Sequence, residues 1–171
     1  MSERAALLSF PDPVDEVSAR LVAGGVVLLT TGILLTGQAW VTLVLALGFA
    51  ARVLTGPKLS PLGLFVTRVL RPRLPIAARP VPGPPKRFAQ GMGLAFSSTA
   101  AVLALGFGRW TAAAVVLAML LVAASLEAFV GLCLGCRIFA VLMRLGVIPE
   151  ETCERCNDLW AGRTADVPAA R

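Results

Sequence analysis

Four apolar stretches at residues 21–37, 40–54, 88–107 and 110–132, holding only Arg52 and Glu127 as charges, constrain this chain more than any other feature. A hydrocarbon core about 30 Å thick is crossed by about 20 residues of helix, and lipid offers no partner to an unpaired backbone group. Such stretches therefore fold as spanning helices. The first two are short, but the turn before Leu21 and a snorkelling Arg52 supply the missing length. Composition points the same way. The chain is 57% hydrophobic and 15% charged, where a soluble domain carries about a quarter charged residues. The expectation is an all-α integral membrane four-helix bundle built as two transmembrane hairpins. Its spans fall at about 19–37, 39–54, 88–107 and 110–134, in one domain over residues 1–160 with a disordered tail at 161–171.

Asp12-Pro13 reads as the start of the first helix, with Asp15 and Glu16 in its first turn. The opening segment "MSERAALLSFPDPVDEVSAR" lacks the basic flank, apolar run and cleavage site of a secretory signal. Between the hairpins, Ser60-Pro61 begins a short interfacial helix at about 60–70, with Leu62, Phe65, Val66 and Val69 at helical spacing. Residues 71–87 are rich in Pro and basic groups, and read as an extended loop rather than a helix. The halves resemble each other weakly, each with a hydroxyl cluster in its first arm and a Trp opening its second.

The charges set an orientation. Eight Lys/Arg lie between Arg52 and Arg87 and five Arg follow Leu132, whereas the two opposite turns hold only Arg109. By the positive-inside rule both termini and the basic loop are cytoplasmic, with Trp40 and Trp110 at the outer interface. The net charge of +6 then serves topology and anionic headgroups, not nucleic acid.

With no His and no Tyr, the chain can build neither a Ser-His-Asp triad nor an HExxH zinc site. No motif indicates nucleotide, flavin or haem. What remains is sulfur: Cys133, Cys136, Cys153 and Cys156 form two CxxC pairs separated by sixteen residues. Thiols in a reducing compartment do not hold structural disulfides. Either pair can close a reversible disulfide, and Gly131 and Gly135 permit a break that lets a new helix begin at the first, where a helix start and Arg137 favour thiolate. Pro149, Glu150 and Glu151 look like another helix start, placing Cys153 and Cys156 on one face as a second or resolving dithiol. The alternative is a structural zinc ion held by all four sulfurs, as the spacing allows. No other cofactor is called for. An electron path through the bilayer would need a quinone or outer-side thiols, and there is no outer cysteine.

Glu127 lies within the fourth span, where an acid is costly and is a candidate functional group by default. The simplest expectation pairs it with Arg52 or Arg137. A proton-transfer role toward Cys133 would need the break at Gly131, because six residues on a straight helix leave the two about 120° apart.

The segments "VDEVSARLVAG", "GPKLSP", "GPPKRFAQG" and "LEAFVGLCLGCRIFAVLMRLGVIPEETCERCN" resemble a bacterial integral membrane family, domain of unknown function 4395, in its actinobacterial branch. The likeness covers about residues 10–160. It implies a four-helix membrane protein with a CxxC after its last helix, in the bacterial inner membrane. It also implies that Cys133–Cys136 is the working pair, since some relatives lack the second, and that partners are of the thioredoxin-like or sulfurtransferase class. No catalytic role comes with it. The functional expectation is a membrane thiol–disulfide exchange or sulfur-relay component. The alternative is a zinc-pinned membrane scaffold or transporter subunit.

Overall fold

The structure, a computed structural model, describes residues 12–148. Cys153, Cys156, the expected helix at Pro149 and the tail at 161–171 lie outside the described residues. Two short strands and six α-helical segments follow one another. They are β1 (Val14–Asp15), α1 (Glu16–Thr36), α2 (Val41–Thr55), α3 (Pro61–Phe65), β2 (Pro80–Val81), α4 (Gly83–Ala101), α5 (Trp110–Ser125) and α6 (Leu134–Arg144). Wider π turns extend α3 through Leu70, α4 through Gly106 and α5 through Val130.

Four helical runs are long and apolar enough to cross a membrane: Glu16–Thr36, Val41–Arg73, Gly83–Gly106 and Trp110–Val130. This is an all-α, multi-pass membrane protein. Their outward faces carry Leu28, Leu35, Leu47, Val115 and Val122 exposed, while Val26, Ile33, Leu45, Phe49 and Leu117 form the core. Apolar side chains on both faces are what a lipid-solvated bundle requires. The hairpins pack mainly across one another. The chief contacts join α2 to α4, α1 to α5 and α4 to α5, and α1 touches its hairpin partner α2 much less. Small residues and inward hydroxyls allow this; Ser97, for example, returns its proton to the Gly93 carbonyl at 2.7 Å.

Three boundaries differ from expectation. The first helix starts at Glu16, not at Asp12-Pro13, because β1 pairs antiparallel with β2 through Val14↔Val81 and Asp15↔Pro80. At 21 residues it is about 31 Å long, a full span. Asp15 is its N-cap. Its carboxylate also accepts from Arg71 Nε at 2.6 Å and from the Arg79 amide at 3.1 Å. Burial alone would raise its pKa, but the hydrogen bonds from Arg71, Ser18 and the Arg79 and Ser18 amides hold it at about 2. The residues read as loop up to Arg87 are helical from Gly83 onward. Pro84 and Pro85 fall in the first turn, where no amide is needed. Finally, the fourth helix ends at Val130, with Gly131 in the left-handed region at φ 76°. The short helix expected near residues 60–70 is present, and its Leu62 seats on Gly25 of α1.

Candidate functional site

Among the described residues, the polar side chains with long-range partners gather at the basic end of the bundle, where α1 begins, α2 ends, α4 begins and α5 ends. The organising element is the break at Gly131. Its positive φ is one that side-chain-bearing residues rarely adopt, and it turns the chain out of α5. The carbonyls left open at the end of α5 are taken by Arg20, whose guanidinium donates to Ala128 O at 3.3 Å and Phe129 O at 3.0 Å. A cation at a helix C-terminus also suits the helix dipole.

Two residues after the break, Cys133 becomes the N-cap of α6, and the Arg137 amide donates to its carbonyl at 3.1 Å. Cys136 stands one turn on. The expected helix start at this pair is therefore in place. α6 can approach α4 only because residue 135 is Gly. A Cβ there would lie 2.6 Å from both Cα and Cβ of Ala89, well inside contact distance. Further along, Phe139 packs on Phe88 with ring centroids 5.6 Å apart. The other side of α6 shows Leu134, Ile138, Val141 and Leu145 exposed, at i, i+4, i+7 and i+11. A helix apolar on both sides with arginines between suits the surface of a bilayer.

Cys133 is buried and Cys136 half-buried, and both are free thiols. The Cys136 thiol donates to the Cys133 sulfur, which draws Cys133 below the ordinary thiol pKa; burial and Glu127 oppose this, and Lys86 assists. The Cys133 sulfur makes no full capping hydrogen bond of the Ser or Asp kind, although the Cys136 amide lies toward it. Cys136 is pushed up, since its proton is held by Cys133 and burial resists a second charge. Of the two sulfurs, Cys133 is thus the one on which a negative charge is favoured.

Glu127 is not paired as expected. Its Oε1 accepts from Lys86 Nζ at 2.7 Å, with the two side chains 16% and 10% exposed. Arg52 is occupied elsewhere: Nε donates to Gln90 Oε1 at 3.0 Å, a second nitrogen reaches Ser60 Oγ at 3.5 Å, and the guanidinium lies 4.3 Å from the centroid of the Phe49 ring. Lys86 and Gln90 are the residues that sequence reasoning missed. The available signal was the Gly83-Pro84-Pro85 helix start, which puts Lys86 in a first turn and Gln90 four residues on, on the same face.

Two cavities meet at Cys133. One, of about 410 Å³, is lined by Glu16, Lys86, Gly131, Cys133, Cys136 and Arg137. The other, of about 290 Å³, lies between α4 and α5 beneath α6, and Glu127, Gln90 and Cys133 face it from its polar end. Cys136 lines only the first. The break at Gly131 has brought Glu127 and Cys133 to one cavity, as direct communication between them requires. Among the described residues no three Cys, Asp or Glu converge as a metal site, so a four-sulfur zinc site would rest on Cys153 and Cys156, outside them.

No curated protein matches the chain, and no solved structure does. The family model described as Domain of unknown function (DUF4395) matches residues 14–144, and the chain belongs to that family.

Proposed function

We propose that Cys133 and Cys136 form a membrane-anchored thiol–disulfide exchange centre. Its partner is a dithiol protein of the thioredoxin-like class, at the cytoplasmic face of a bacterial inner membrane. The observation that carries the reading is the placement of a CxxC pair at the start of α6, its two thiols free and lining a cavity beside Lys86. The charge bias of the loops supports the orientation, with both termini on the same side as the pair.

The asymmetry of the pair suggests an order of events. In the disulfide form, a partner thiolate attacks Cys136 Sγ, the more accessible sulfur. The S–S bond breaks and Cys133 leaves as the thiolate that α6 and Lys86 favour, and a stabilised leaving thiolate departs faster. The partner's second thiol then attacks its own sulfur in the mixed disulfide and releases Cys136. Two electrons and two protons have passed to the pair, and the partner is left as a disulfide. Cys153 and Cys156 are candidates for a second, resolving pair.

The test begins with protein purified without chelator, its bound zinc determined and its thiols counted site by site before and after equilibration with a thioredoxin-like dithiol/disulfide couple. Zinc-free protein forming a reversible Cys133–Cys136 disulfide supports the proposal. About one zinc per chain, with all four thiols protected from alkylation until chelation, would replace it with the zinc-pinned scaffold.

A further inference from the structure

We propose that the smaller cavity is the binding site of a lipid-soluble quinone, which accepts electrons from the Cys133–Cys136 dithiol. The inference rests on the thiol-exchange reading and adds the electron acceptor.

The argument starts from access. The cavity is walled by apolar side chains such as Phe49 and Phe96, and Met119, Leu134 and Ile138 on its lining are exposed on the outside of the bundle. These exposed apolar side chains put the mouth of the cavity, on this proposal, at the side of the bundle, where lipid would cover it. A water-soluble ligand would have to cross that apolar mouth, whereas a molecule dissolved in the bilayer meets it directly. At about 290 Å³ the space is near the lower end of ligand pockets, about 300–1,000 Å³. It suits one ring headgroup with its tail running out between the helices.

The polar groups all lie at one end. Arg52 takes the Gln90 side-chain oxygen at 3.0 Å, which leaves the amide NH₂ as donor to a ligand carbonyl. The Glu127 carboxylate, held by Lys86, faces the same end of the cavity. Cys133 Sγ completes that end and is the one sulfur of the pair common to both cavities. A planar ring with carbonyl oxygens and an apolar tail matches this arrangement. A phospholipid would bring a charged phosphate to an apolar mouth, which is costly.

The reaction balances within these groups. Cys133 Sγ gives its electrons to the quinone, Cys136 Sγ closes the S–S bond on Cys133, and the two thiol protons with the two electrons convert quinone to quinol. A partner dithiol arriving through the larger cavity then reduces the disulfide again. The pair would thus turn over between an aqueous thiol on one side and a lipid-soluble acceptor on the other.

The experiment uses the full chain in lipid nanodiscs, pre-reduced, with a decyl-tailed benzoquinone as one oxidant and a soluble small-molecule disulfide as the other. The expected result is one quinol formed per Cys133–Cys136 disulfide. Ala123→Phe, which fills the cavity, should slow the quinone reaction by at least about tenfold, a loss of about 1.4 kcal/mol in transition-state stabilisation. A photoreactive azidoquinone should label the wild-type peptide that contains Met119 and Ala123, and this reading survives even where Ala123→Phe fails to fold. Oxidation by the soluble disulfide but not by the quinone would overturn this inference and leave the exchange reading standing. So would an undiminished quinone rate in a folded Ala123→Phe, or labelling elsewhere. Failure of the pair to form a disulfide with either oxidant would overturn both.

Discussion

The Lys86–Glu127 pair offers the sharpest test of the site, because its two members should have the same effect on stability and opposite effects on Cys133. Replacing Glu127 with Gln leaves Lys86 as a cation only 10% exposed, and replacing Lys86 with Met strands the carboxylate, which is 16% exposed. Breaking a fully buried ion pair costs about 3–5 kcal/mol. Here the residual exposure and the reach of the lysine stem allow some water contact, so about 2 kcal/mol is expected for either change. For a chain of this length that corresponds to a fall of about 4–8 °C in Tm.

The thiol should respond with opposite signs. Lys86 favours a negative charge on Cys133 and Glu127 opposes it. A neighbouring charge within about 4–6 Å moves a pKa by about one unit or more, and one unit is about tenfold in thiolate fraction below the pKa. Glu127→Gln should therefore speed alkylation of Cys133 at neutral pH, and Lys86→Met should slow it, each by about tenfold. The assay is a pH series of iodoacetamide labelling with the sites resolved by mass spectrometry, alongside thermal unfolding in the same detergent. Rates that move together, or that stay within twofold of wild type while Tm falls, would refute the claim that this pair sets the charge at Cys133.

Three further outcomes follow from other parts of the fold. Gly135→Ala should cost about 1–3 kcal/mol by overpacking, because its Cβ meets Ala89 at 2.6 Å; the same variant should lose the preferential labelling of Cys133 as α6 is pushed off α4. Asp15 is lowered from 3.8 to about 2 in the folded protein, so protonation favours the unfolded chain. Its contribution, about 1 kcal/mol after solvent screening, should be complete above about pH 5 and disappear as pH falls toward 2; a urea series should show this dependence flattened in Asp15→Asn. Thr30 is fully buried with no hydrogen-bond partner for its hydroxyl, so Thr30→Val should leave Tm unchanged or raise it slightly, since an unsatisfied polar group costs about 1–3 kcal/mol.

The four spans were readable because their signal is local: each is a run of apolar residues bounded by Gly, Trp or charge, and Gly37 ends the first where expected. The break at Gly131 was readable for the same reason, and with it the helix start at Cys133. The partners were not. Asp15 looks like a first-turn acid until Pro80, sixty-five positions away, pairs with it and makes it a cap. Glu127 sits at a depth where three basic residues could reach it, and which one does depends on the rotation of α4 against α5, a property of packed helices that no periodicity within one helix encodes. Lys86 was hidden by its own neighbourhood. Four prolines between Pro80 and Pro85 read as extended chain, although two of them occupy the one stretch of a helix that tolerates proline.

The physical interest of the break lies in where it leaves the sulfurs. A thiol within α5, three turns above Glu127, would face hydrocarbon and could not hold a negative charge. A thiol on a solvated loop could ionise but would have no contact with the apolar cavity. By ending α5 at a left-handed glycine and starting α6 three residues later, the chain gives Cys133 a helix N-terminus and a lysine to favour the thiolate, while keeping it on the wall of the apolar cavity between α4 and α5. Under the proposed function these demands conflict on any continuous helix. They are compatible here because Gly131 redirects the backbone and Gly135 lets α6 close against Ala89.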